Sequence, residues 1–182
     1  MSTRRLFALT SLAMLAFAAN SVLCRQALEQ TAIDAASFTT LRLVSGALVL
    51  WLLVRRERGA ASPPGSWGSA LALFAYAAGF SFAYLTLPAG TGALLLFGAV
   101  QLTMILAGLR AGERPGPWQI AGMLLALAGL AYLLAPGLEA PPLSGAVLMV
   151  AAGIAWGIYS LRGRGERQPL QATAGNFLRS VP

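Results

Sequence analysis

The chain has 182 residues, 57% of them hydrophobic and only 10% charged, with a mean hydropathy of +0.70 and a net charge of +7. Soluble domains carry roughly 25% charged residues, so this composition excludes an ordinary water-soluble fold and indicates an all-α integral membrane protein. All thirteen basic residues are arginines in a chain with no histidine and a single cysteine, Cys24, which excludes an internal disulfide and leaves no expectation of a metal site or cofactor.

A helix needs roughly 20 apolar residues, or about 17 at the short end, to cross the hydrocarbon core. Six runs meet that length. The first covers residues 6–23, after Arg4 and Arg5. That start also fits a cleavable signal with Ala16-Phe17-Ala18 at its cleavage site, but cleavage would remove one member of the repeat described below. Cys24, near the end of this run, reads as a small apolar filler. The second run covers residues 35–54 and stops at Arg55-Arg56-Glu57-Arg58 and a Pro/Gly/Ser loop reaching Gly65. From Gly59 to Leu109 there is no charge at all, a stretch too long for one span. Pro88, Gly90 and Gly92 divide it into a third helix, residues 67–87, and a fourth, residues 91–109, joined by a tight hairpin. The loop Arg110-Ala111-Gly112-Glu113-Arg114 leads to a fifth helix, residues 118–134, closed by Pro136-Gly137. Pro141-Pro142 opens the sixth, residues 143–161. Beyond Arg162, Arg164 and Arg167, the segment Asn176-Phe177-Leu178-Arg179 reads as the first turns of a seventh helix.

One stretch occurs twice. A shift of 137 positions, the separation of Arg25 from Arg162, carries Ala18, Arg25, Glu29 and Arg42 onto Ala155, Arg162, Glu166 and Arg179. Such a repeat points to a duplicated unit. With the N-terminus in the cytoplasm, the inner segments hold Arg4, Arg5, Arg55, Arg56, Arg58, Arg110, Arg114, Arg162, Arg164 and Arg167, whereas the outer segments hold only Arg25. That bias follows the positive-inside rule and not the pattern of a nucleic-acid-binding face. Five helices separate the two copies, so the second copy is expected to be inverted in the membrane, as in many secondary carriers.

These landmarks resemble the EamA-like branch of the drug/metabolite transporter superfamily. The features that carry the resemblance are the segment from Ala18 to Leu28 around Asn20 and Arg25, the helix-2 start with Phe38, Leu41 and Arg42, and the Gly112-Glu113-Arg114 loop. Gln119, Gly122 and Gly129 follow in the fifth helix, and Ala155-Trp156-Gly157-Ile158-Tyr159 opens the second unit. Ala18-Ala19 stand where the family commonly has Trp-Gly, and a proline usual in the fourth helix is absent. The resemblance implies two five-helix units with both termini in the cytoplasm of a bacterial inner membrane. Residues 1–136 would be the first unit, and residues 137–182 the start of the second. Applying the same shift to Leu134 places the end of a second unit near residue 271, past the 182 residues present. The expectation is a truncated carrier.

Arg42 is the most informative candidate. It lies about two turns into the second helix, and an arginine at the centre of a span costs about 2.5–3.5 kcal/mol on insertion scales. Either it snorkels to the outer headgroups, or it lines a central cavity and attracts a carboxylate-bearing solute. Asn20, Gln101 and Thr103 are polar groups within spans, fitted either to interhelical hydrogen bonds or to substrate contact. Tyr76, Tyr84, Trp156 and Tyr159 can wall a cavity, whereas Trp51, Trp67 and Trp118 suit the interfacial belt. Arg25 and Arg162 read as basic residues ending their helices. Glu113 belongs to a loop, and no carboxylate lies deep in any of the six runs for proton coupling.

The leading functional expectation is a carrier for small polar metabolites, amino acids or drugs, an exporter by resemblance, with lipid and a small solute as its partners. A non-transporting assembly subunit or inactive fragment is the alternative. A membrane enzyme is disfavoured because paired carboxylates, histidine and metal motifs are lacking. An antiparallel homodimer is a further way to complete the site, although it leaves the sixth helix redundant.

Overall fold

The computed structural model describes residues 2–56, 64–133 and 141–181. Most of the loop after the second helix, the end of the fifth helix at Leu134, the Pro136-Gly137 stop and the 136/137 boundary between units lie outside the described residues. Among the described residues there are seven α-helices and no strands. They are α1 (Thr3–Gln30), α2 (Ala35–Arg56), α3 (Trp67–Ala83), α4 (Ala89–Arg110), α5 (Pro117–Leu133), α6 (Leu143–Arg162) and α7 (Pro169–Ser180). Four of them, α1, α2, α4 and α6, are long and apolar enough to cross a membrane, and α3 is apolar but shorter.

Local chemistry explains where the helices start. Asp34 caps α2 by accepting from the backbone N–H groups of Ala36 and Ser37 and from the Ser37 hydroxyl, at 3.0, 2.9 and 2.6 Å. These bonds, the one from the Ser37 side chain foremost, hold its carboxyl below the ordinary carboxylate range. Ser66 caps α3 by accepting from the Ser69 N–H. Prolines open four other helices: Pro88 and Pro142 precede α4 and α6, and Pro117 and Pro169 begin α5 and α7. Proline fits there because the first helical residues need no N–H donor. At the far end of α4, Gly112 turns left-handed with φ 84°. Glu113 N–H then donates to the Gly108 carbonyl and Gly112 N–H to that of Leu109, which closes the helix.

Three boundaries differ from the sequence expectation by four residues or more. Helix α1 continues to Gln30, so Arg25 and Glu29 lie inside it, one turn apart, and Arg25 does not end it. Helix α3 stops at Ala83 and not at Leu87, because Pro88 disfavours a helical residue before it and the chain turns through Leu85 and Thr86 N–H bonds to Phe82 and Ala83. Helix α7 begins at Pro169, so Asn176-Phe177-Leu178-Arg179 form its last turns, not its first.

Helix α3 is the hub. Its Leu73 and Phe80, with Tyr84 just past its end, are among the most deeply buried side chains. Gly79 of α3 meets α6 so closely that an added Cβ would lie 3.2 Å from the Ala152 Cβ. On α6, a Cβ at Gly153 would lie 2.6 Å from both the Ala99 Cβ and the Leu96 carbonyl of α4. Small residues therefore set both seams. Helix α7 covers α2 and α3, with Phe177 over Gly46 and Asn176 Oδ1 accepting from the Ser66 N–H at 3.0 Å. Asn20 and Arg25 of α1 meet, in that order, Tyr76 of α3 and the Tyr84 carbonyl just past its end, so these two helices run the same way. Gly145 lies against Leu87, and Arg162 meets Ser69, so α6 runs against α3 and against α1. The outer surface carries exposed Phe7, Leu15, Leu41, Leu71 and Leu125, an apolar skin suited to lipid.

Candidate functional site

The bundle gathers polar and aromatic side chains from four helices around one guanidinium. In α2, Phe38, Arg42 and Gly46 recur at four-residue steps and so share a face. Arg42 points inward: its Nη1 donates to Ser81 Oγ at 3.3 Å and its Nη2 to Asn20 Oδ1 at 3.4 Å. Its Cζ lies 4.9 Å from the Phe80 ring centroid and 5.7 Å from that of Phe38. The aromatic faces stabilise the cation by the ring quadrupole. The guanidinium thus lies, part-buried, against α1 and α3.

The neighbours are held by their own helices. Ser81 donates its hydroxyl proton to the Ala77 carbonyl at 2.9 Å, which leaves its lone pairs to accept from Arg42. Asn20 uses its other end to donate from Nδ2 to the Tyr76 hydroxyl at 3.4 Å. Tyr76 lies 4.6 Å, centroid to centroid, from Trp156, which stacks on Tyr159 at 5.3 Å. Tyr76 and Phe80 are four residues apart on α3, and their rings also meet, at 5.4 Å.

A cavity of about 410 Å³ opens beside this cluster, lined by Arg42, Tyr76, Gly46, Leu73 and Phe177 among others. A guanidinium has five N–H donors, and the two bonds Arg42 makes here are long. Among the described residues it makes no ion pair. A carboxylate entering the cavity would find donors in the fork geometry that it binds best.

Five of the seven sequence candidates, Asn20, Arg42, Tyr76, Trp156 and Tyr159, meet in this cluster. Gln101 and Thr103 do not. The Thr103 hydroxyl donates to the Ala99 carbonyl at 2.7 Å, and its Cβ fills the space over Gly157, so it is a packing residue of the α4–α6 seam. Gln101 is two residues from both Ala99 and Thr103, about 200° round the helix from each. It is exposed and lines a second cavity of about 750 Å³ between α4 and α5, near Glu113, Gln119 and Arg164. Tyr84 is also structural: it is fully buried, and its hydroxyl donates to the Ala89 carbonyl across the α3–α4 hairpin. Phe80 and Ser81 were missed from sequence. The four-residue step Tyr76–Phe80–Tyr84 was the available signal for the first, whereas a serine in an apolar helix gives none.

Residues 6–135 match the model of the EamA-like transporter family. The chain belongs to that family. EamA-like proteins are membrane transporters, in line with the expectation of a non-enzymatic membrane protein. The chain is 61% identical over 182 residues to an uncharacterized protein of Pseudomonas aeruginosa, covering all of this chain and 63% of that relative. It is 30% identical over 138 residues to a probable terminal-alkyne amino-acid exporter of Streptantibioticus cattleyicolor, covering 74% of this chain and 46% of the exporter. The chain thus spans less than two thirds of the length of each of these curated relatives. No solved structure matches.

Proposed function

We propose that the chain supplies the first five-helix unit, residues 1–136, and the opening of an inverted second unit of a bacterial inner-membrane carrier. Its N-terminus is cytoplasmic, and it exports small polar metabolites, amino acids or drugs by alternating access. The solute binds where Asn20, Arg42, Tyr76, Trp156 and Tyr159 converge, with its carboxylate on the Arg42 fork and its body against the aromatic wall. The observation that carries this reading is Arg42: a cation held inside the bundle by two long hydrogen bonds and aromatic faces, unpaired with any carboxylate among the described residues, beside a cavity of about 410 Å³. The opposite directions of α1 and α6, which carry the two copies of the repeat, support the inverted layout. The similarity to an amino-acid exporter supports a carboxylate-bearing solute.

The test is reconstitution of the purified chain in liposomes loaded with radiolabelled amino acids. Wild type is expected to release label. Arg42→Ala is expected to abolish release while still inserting in the membrane, and normal release by Arg42→Ala rejects the role given to the guanidinium. A wild-type chain that releases nothing favours the alternative of a non-transporting subunit or inactive fragment.

A further inference from the structure

Two arginines outside the solute cluster grip the two ends of α3. Arg25 of α1 donates from Nη1 to the carbonyls of Tyr84 and Leu85, at 2.9 and 3.2 Å, just past the C-terminal end of α3. Arg162 of α6 donates from Nε to Ser69 Oγ at 3.0 Å and from Nη2 to Ser66 Oγ at 3.2 Å, at the N-terminal end of α3. Tyr76, which touches the solute cluster, lies seven residues from Ser69 and eight from Tyr84, about 11 Å along the axis from either grip. The two arginines are also the matched pair of the sequence repeat.

The grips are chemically unequal. Arg25 meets carbonyls left without helical partners, at the negative end of the α3 dipole. Glu29 steadies it with a contact of 3.2 Å to Nε. Arg162 meets neutral hydroxyls at the positive end of the same dipole, while it also sits at the negative end of its own helix as the last residue of α6. Ser66 Oγ is already shared, since it also accepts from the Ser69 N–H and donates to Ser69 Oγ. Gly68 leaves the Arg162 guanidinium its room: a Cβ there would lie 2.9 Å from Nη2.

We propose that Arg25 and Arg162 are positioning residues, each latching its own end of α3 on either side of the solute site. The proposal rests on the carrier reading of the Arg42 cluster, but its readout needs no solute. Cys24, the only cysteine, adjoins Arg25 and is 1% exposed. Ala70, beside Ser69, is 2% exposed and becomes the matching reporter as Ala70→Cys in a Cys24→Ser chain. Both are labelled in proteoliposomes with a charged maleimide supplied to both faces.

Arg25→Ala is expected to raise Cys24 labelling several-fold without raising labelling at residue 70. Arg162→Ala is expected to do the opposite. Gly68→Ala, which displaces the guanidinium without removing it, should match Arg162→Ala, and Glu29→Gln should weakly match Arg25→Ala, so the test survives if an arginine variant fails to insert. Equal rises at both reporters show a generally loosened bundle and overturn the proposal, as does no rise at either. Reciprocal labelling in a chain that moves no solute keeps the latches and discards the carrier reading.

Discussion

Arg42 shows how a bundle of this composition tolerates a cation. Insertion of an arginine at mid-span costs about 2.5–3.5 kcal/mol. A desolvated cation–π contact returns up to about 2 kcal/mol, and hydrogen bonds to a charged group contribute further even when long. The charge is therefore tolerated without an acid, which leaves the fork available for an incoming anion. If the aromatic wall holds the solute body, Trp156→Ala should weaken binding of a radiolabelled amino acid about three- to tenfold, the loss of one aromatic contact. Gln101→Ala should leave it unchanged, since that side chain faces the α4–α5 cavity; scintillation-proximity binding on the purified chain separates the two. Arg42 and Tyr76 were legible in the sequence because a charge and a phenol stand out in apolar runs. The positions of Gln101 and Thr103 were not, because polarity alone does not say which side of α4 faces the site. Arg25 was misplaced for a related reason: the apolar run ends at Leu23, yet the helix continues through polar residues to Gln30.

The elements owe their closeness to glycines on α6. Gly153 faces backbone and Ala99 of α4, and Gly157 faces Thr103, four residues apart on one stripe. Gly153→Val is expected to destabilise the protein by roughly 1–3 kcal/mol, the usual cost of overpacking, seen as a lower unfolding temperature in detergent. Gly129→Val on α5 should do far less to packing, since no atom lies within 4 Å of a Cβ placed there. Sequence alone does not single out the glycines of α6, because glycine is frequent throughout the chain and only a partner helix shows which ones matter. Helix starts were easier to read than ends where prolines mark them, as at α4, α5 and α6; Pro169, which opens α7, was passed over, and α3 ends where Pro88 acts on the residues before it.

At the scale of the whole molecule, the order of helices was legible because hydropathy survives without any contact information. The docking of α7 on α2 and α3 was not, since its seat depends on Gly46, Ser66 and Ala70 lying together in space. The proposed orientation makes its own prediction: reporter tags after Val54 and after Leu161 should both be cytosolic, whereas a tag at Glu139 should face the other side. A tag in the wrong compartment removes the inverted-unit reading. Helix α3 has 17 residues, a rise of about 25 Å, against about 33 Å for a 22-residue neighbour such as α2. On the carrier reading, Arg42 is a positive charge within the membrane. A voltage across the bilayer then acts on its guanidinium. An anion docked there cancels the charge on which that field pulls, so an occupied bundle and an empty one would feel the membrane potential differently.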